Sequence, residues 1–118
     1  MLDRLPWALL ALLHLPPALA LVWPAMLGRI YGAAGGSSAL PLLQHRAALF
    51  AALVAICLWA AADPAVRRLA SVVCAISMLS FVALYLLAGS PPALRTIALA
   101  DLLFLPVLGF AAWRAFSP

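Results

Sequence analysis

The sequence contains no lysine and no glutamate. Its seven basic residues are all arginine, its three acidic residues are all aspartate, and charged residues make up only 8% of the 118. A soluble domain carries about 25%, because a water-facing surface needs interspersed polar groups. That shortage excludes a water-soluble fold of this size. The spacings that hold metals are also missing. No HxxxH, HExxH or CxxC pattern occurs, so neither a metal nor a bound cofactor is expected. Arg67 and Arg68 are the one adjacent basic pair and lie between apolar runs, which excludes a nucleic-acid surface. They read instead as topology signals and contacts for lipid headgroups. The two cysteines, Cys57 and Cys74, both fall inside apolar runs and do not make a secreted disulfide framework.

What the chain has in abundance is hydrocarbon. Hydrophobic residues are 69% of it, against roughly 45–50% in soluble domains. They gather into four runs, which predict helices over about 5–27, 40–62, 67–88 and 95–116. Each has roughly the 20 residues needed to cross about 30 Å of hydrocarbon. Strands of a membrane barrel are about half as long and alternate in polarity. The separators read as turns: the glycine- and serine-rich stretch 28–38, the Asp63-Pro64 corner with Asp63 as a cap, and Gly89-Ser90-Pro91-Pro92. Short connections make successive helices antiparallel neighbours. The expected fold is therefore all-α, a polytopic up-down bundle of four transmembrane helices forming one domain over 1–118.

Ala18-Leu19-Ala20 has the small residues of a signal-peptide cleavage site, but the positive charge before it is only Arg4, offset by Asp3. The first run is expected to be retained. The N-terminus, the second connection and the C-terminus share one side with Arg4, Arg67, Arg68 and Arg114, against Arg29, Arg46 and Arg95 on the other. The arginine balance places both termini in the cytoplasm. Trp7, Trp23, Trp59 and Trp113 fall near helix ends, as interfacial anchors do.

Ionisable residues within a membrane are costly and are functional candidates by default. His45 and Arg46 lie near the start of the second helix, and Asp101 lies several residues into the parallel fourth helix, at a similar depth. Arg46 suits a bidentate contact with Asp101. The pair reads either as a register-setting ion pair or as a polar site in which His45 and Asp101 exchange protons and Arg46 holds an anionic group. Tyr31, Arg29 and Tyr85 lie towards the same side and are candidates for its rim. His14 sits in mid-helix before Pro16 and Pro17, which remove the amide donors for the carbonyls of Leu12 and Leu13. Freed carbonyls beside a histidine read either as a kink, with His14 bonded to backbone or to Ser71, Ser77 or Ser80, or as a broken-helix binding site. His14 and His45 differ in depth by more than about 10 Å, which argues against joint haem ligation. Cys57 and Cys74 are nearly symmetric about the Asp63 turn. They read as small packing residues or as a thiol pair open to quinone-coupled oxidation.

Packing signals complete the pattern. Ala47, Ala51 and Ala55 form a small-residue row on the second helix. Ser71, Cys74, Met78, Phe81 and Tyr85 form one face of the third, whose serines suit interhelical hydrogen bonds.

Tyr31-Gly32, then Gln44-His45-Arg46-Ala47-Ala48-Leu49-Phe50, then Ala98-Leu99-Ala100-Asp101 together resemble small bacterial four-helix membrane proteins, the DoxX-like and related uncharacterised families. Some members of that group carry the name phosphopantetheine adenylyltransferase. The soluble enzyme of that name has a nucleotide-binding α/β fold and an HxGH motif, and this sequence has neither. The resemblance implies a bacterial inner-membrane location and marks His45, Arg46 and Asp101 as the polar core.

Three functions fit these residues. The first is a non-catalytic accessory or lipophilic-ligand-binding module with a buried His-Arg/Asp site. The second is a small enzyme acting on a lipid, isoprenoid or quinone. The third is a dimeric proton-coupled transporter of small solutes. The expected partners are membrane lipid and either further copies of the chain or a larger membrane complex.

Overall fold

The computed structural model describes residues 2–23 and 39–118, and Tyr31 and Arg29 lie outside them. Among the described residues the chain is helical and forms no strand. Helix α1 spans Leu5–Leu19, α2 Ala39–Ala62, α3 Arg67–Leu87 and α4 Arg95–Phe116, with short 3₁₀ turns at Pro64–Val66 and Pro92–Leu94. Three stretches are long and apolar enough to cross a membrane: Pro41–Ala62, Pro64–Leu87 and Pro92–Phe116.

Helix α1 departs from expectation in length. It ends at Leu19 rather than near residue 27, at 15 residues, so it covers only ~22 Å. It runs unbroken through Pro16 and Pro17. The missing proline amides leave the last turn with fewer bonds, and the helix stops two residues later. Turn bonds from Leu21 N–H to the Ala18 carbonyl (3.1 Å) and from Trp23 N–H to the Leu19 carbonyl (2.9 Å) close its end.

The connections follow their local chemistry. Asp63 Oδ1 accepts from the Ala65 amide at 2.9 Å, capping the turn into α3 as its side chain predicts. At the other end of α3, Gly89 takes a φ of 83°, the left-handed conformation glycine favours. The Ser90 amide then reaches back to the Tyr85 carbonyl (3.0 Å) and the Gly89 amide to that of Leu86 (3.1 Å). This pair of bonds is a Schellman closure.

The four helices pack in a ring, each against its neighbours in sequence and α1 against α4. Contacts at one end fix their directions. Arg114 near the end of α4 grips Asp3 before α1 with two bonds of 2.8 and 3.1 Å. At the start of α3, Arg67 Nε donates to the Ala60 carbonyl in α2 (2.8 Å) and Arg68 Nε to the Ala115 carbonyl in α4 (3.1 Å). Neither arginine is simply a headgroup contact. The Ala60 carbonyl would ordinarily meet the amide of residue 64, which is a proline, and Arg67 supplies the missing donor.

The core is densest at this end. Leu10, Cys57, Ala60, Ala70, Cys74 and Met78 are fully buried, and Trp7 joins them at 1% exposure. Trp7 is thus a core residue and not an interfacial anchor, whereas Trp23, Trp59 and Trp113 are well exposed. On α3, Ser71, Cys74 and Met78 are buried along the predicted face. The small-residue row of α2 sits differently. Ala47 is buried, but Ala55 is exposed, and the buried stripe runs through Ala47, Leu53, Cys57 and Ala60. The serines turn inward on their own helix: Ser71 donates to the Arg67 carbonyl (2.7 Å) and Ser80 to that of Ser77 (3.2 Å). The outward faces are hydrocarbon, with Leu58, Leu69, Ile76, Leu87 and Leu103 all more than half exposed.

Two predictions follow from this end of the bundle. Ala60→Leu forces a branched side chain into a fully occupied seam and is expected to destabilise the fold by about 1–3 kcal/mol, read by denaturant titration in mixed micelles. Arg114's hydrogen bonds hold the Asp3 carboxyl below its ordinary value of 3.8. A carboxyl lowered in the folded state stabilises above its unfolded value and loses that contribution as pH falls through the lowered one. The stability gap between wild type and Asp3→Asn is therefore expected at neutral pH and should close in acid below the ordinary carboxyl range. Because both side chains are exposed, added salt should shrink the gap as well.

Candidate functional site

Away from that end the helices line a partly open cavity of about 630 Å³. All four contribute to its wall. Helix α1 supplies Leu13, His14, Pro16 and Pro17, and α2 supplies Arg46, Leu49, Phe50 and Leu53. Helix α3 supplies Ser77, Ser80, Phe81 and Leu84, and α4 supplies Thr96, Ile97, Ala100 and Asp101, with Ala93 from the preceding turn. Small-molecule sites occupy about 300–1,000 Å³ and combine apolar walls with a few convergent polar groups. This cavity has both attributes.

The inward positions follow from helical spacing. On α2, Arg46, Phe50 and Leu53 recur at intervals of four and three, which keeps them on one face. On α4, Thr96, Ile97, Ala100 and Asp101 do the same. His45 precedes Arg46 by one residue and is therefore rotated about 100° from it. It is exposed and takes no part in the cavity wall. Tyr85 is half-buried and also outside the wall.

Arg46 and Asp101 come together in the same cavity without the direct fork-on-carboxylate contact expected of them. Among the described residues the salt bridge is Arg114–Asp3, at the opposite end. The Arg46 guanidinium carbon lies 5.4 Å from the centre of the Phe50 ring and 5.3 Å from that of Phe81. Both distances are within the range of a cation–π contact. The guanidinium thus rests against two rings in the wall.

His14 joins these residues from α1. It is 2% exposed, and its ring lies nearly parallel to Phe50, 5.9 Å away and tilted by 29°. Nδ1 lies 2.7 Å from the Leu10 carbonyl, one turn back along the helix. Since a carbonyl only accepts, Nδ1 carries the proton. The partner is thus backbone, one of the alternatives read from the sequence. Ser77 and Ser80, the other candidate partners for His14, share the cavity wall with it.

The sequence singled out His14, Arg46 and Asp101, and the fold gathers all three. It did not single out Phe50, Phe81 or Thr96 as site residues. Phe50 was detectable by counting four residues on from Arg46, whereas Thr96, five residues before Asp101, falls between such steps. Phe81 carried no such signal, because apolar spacing on α3 marks packing and cavity walls alike.

Among the described residues no salt bridge joins Asp101 to Arg46, so Asp101 is not half of a locked ion pair. Asp101→Asn is expected to fold, with a stability loss well under the roughly 3–5 kcal/mol that breaking a buried ion pair costs. Thermal unfolding of the purified variant in detergent measures it.

No protein-family model matches the chain, and no curated protein or solved structure is detectably similar to it.

Proposed function

We propose that the chain is a four-helix protein of the bacterial inner membrane, both termini cytoplasmic, that binds an amphipathic small molecule inside the bilayer. The observation that carries this reading is the 630 Å³ cavity with six polar residues set in an apolar wall. A partly open space with apolar walls and a few convergent polar groups is the form that small-molecule sites take. The apolar part of the ligand lies along Leu49, Leu53 and Leu84, and its polar end meets His14, Arg46 and Asp101. The resemblance to DoxX-like proteins read from the sequence marks two of these residues, Arg46 and Asp101. Catalysis by His45 with Asp101 draws no support here, since His45 is turned away from the cavity.

One observation favours a second reading. The same wall holds His14 and Asp101, two groups able to carry a proton, as a proton-coupled carrier of small solutes requires. A pH gradient imposed on sealed proteoliposomes separates the two. A carrier dissipates the gradient when solute is added, and a binding module leaves it unchanged.

The binding reading is tested by purifying the protein in native lipid discs and extracting what stays with it. Mass spectrometry is expected to find one species enriched over bulk lipid at near-equimolar amount. Ala100→Trp places an indole in the cavity and is expected to lose that species. Identical extracts from the two proteins would sink the proposal.

A further inference from the structure

We infer that the arginine-rich end of the bundle holds an anionic phospholipid, its phosphate at Arg68 and an acyl chain along the outer face of α3. The inference is independent of what fills the cavity.

This end carries charge that the chain does not balance. Arg4 lies just before α1, Arg67 and Arg68 open α3, and Arg114 lies in the last turn of α4. The contacts between helix ends bring all four to one end of the ring. The acidic residues there are Asp3 and Asp63, so four guanidiniums meet two carboxylates. Asp3 is bound by Arg114, which lowers its carboxyl most, and the charge of Arg67 lowers it further. Asp63 is occupied as a cap, accepting from the Ala65 amide. Like charges gathered in this way repel one another. An anion from outside the chain relieves that repulsion.

Arg68 is the guanidinium placed to receive it. Nε donates to the Ala115 carbonyl at 3.1 Å, and the guanidinium carbon lies 5.7 Å from the centre of the Phe116 ring. These two contacts orient the group. Its terminal amino groups have no protein acceptor among the described residues, and the side chain is exposed. Arg67 is half-buried and turned towards Ala60, and Arg114 gives two bonds to Asp3. A guanidinium oriented through Nε presents its terminal amino groups as a fork, which matches two oxygens of a phosphate.

The surface beside Arg68 distinguishes a lipid from a soluble phosphate. Val72 and Ile76 follow it at intervals of four, so they share its face of α3. Both are exposed. On α4, Phe116 beside Arg68 and Trp113 one turn back are exposed as well. Trp59, near the end of α2, completes a set of aromatic side chains at the depth where headgroups begin. A soluble phosphate makes no use of that hydrocarbon, whereas an acyl chain covers it. The headgroup is anionic because a zwitterionic one brings its own ammonium to a place already rich in cations. Basic sites between helix ends recognise anionic headgroups in this way.

The test equilibrates immobilised wild-type protein with detergent micelles holding phosphatidylglycerol and phosphatidylcholine of identical acyl chains, and counts the retained lipid by mass spectrometry. Phosphatidylglycerol is expected to be favoured about fivefold or more, by a margin that shrinks as salt is added. Arg68→Gln should remove most of the margin. Arg95→Gln, at the other end of α4, should leave it unchanged. A phosphatidylglycerol with a photoreactive diazirine in its acyl chain should label Val72 or Ile76. If Arg68→Gln does not fold, the wild-type comparison and the labelled positions still decide. Equal retention of the two lipids by wild type overturns the proposal. Equal loss of the margin in both variants, or labelling confined to other faces, overturns the placement at Arg68. Glycerol phosphate that displaces the lipid at equal concentration overturns the lipid in favour of a soluble phosphate.

Discussion

The helices close at one end over side chains too small to hold them apart. Ala60, Ala70, Cys57, Cys74 and Ala111 let four backbones approach, with Trp7 and Met78 filling what remains. Between helices surrounded by lipid there is little hydrophobic drive, so close contact itself is what binds them. Everything at the other end depends on that grip. Where the side chains become larger, at Phe50, Phe81 and Leu84, the ring of helices does not fill its centre, and the cavity results.

The polar chemistry divides along the same line. At the sealed end the arginines serve backbone and surface: Arg67 and Arg68 answer carbonyls of neighbouring helices, and Arg114 holds Asp3. On the cavity wall Arg46 rests on aromatic faces and His14 donates back to its own helix. The first set completes the fold. The second set belongs to the wall of the cavity.

Much of this architecture could be read in the sequence, because the signals are one-dimensional. Run length and composition announce helices that match hydrocarbon thickness, and Asp63, Gly89 and the prolines mark the turns at single positions. The failures have a common physical origin. The end of α1 depends on how a helix copes with two missing donors, and pattern alone does not record that. Trp7 has the composition of an interfacial anchor and the neighbours of a core residue. Ala47, Ala51 and Ala55 share a helical row, yet the packed stripe runs through Leu53 and Cys57, since a twist of a few tens of degrees decides which row faces inward. The site shows the same boundary. Rarity flagged His14, Arg46 and Asp101, while rotation about α2 separated His45 from them, and the aromatic partners became visible only once four helices stood side by side.

The bond from Arg67 to the Ala60 carbonyl makes the hairpin of α2 and α3 self-contained. Pro64 strips that carbonyl of its ordinary donor within a corner that two long apolar helices share. The replacement comes from seven residues downstream, inside the same hairpin. The α2–α3 corner therefore satisfies that oxygen from within, without a donor from α1 or α4.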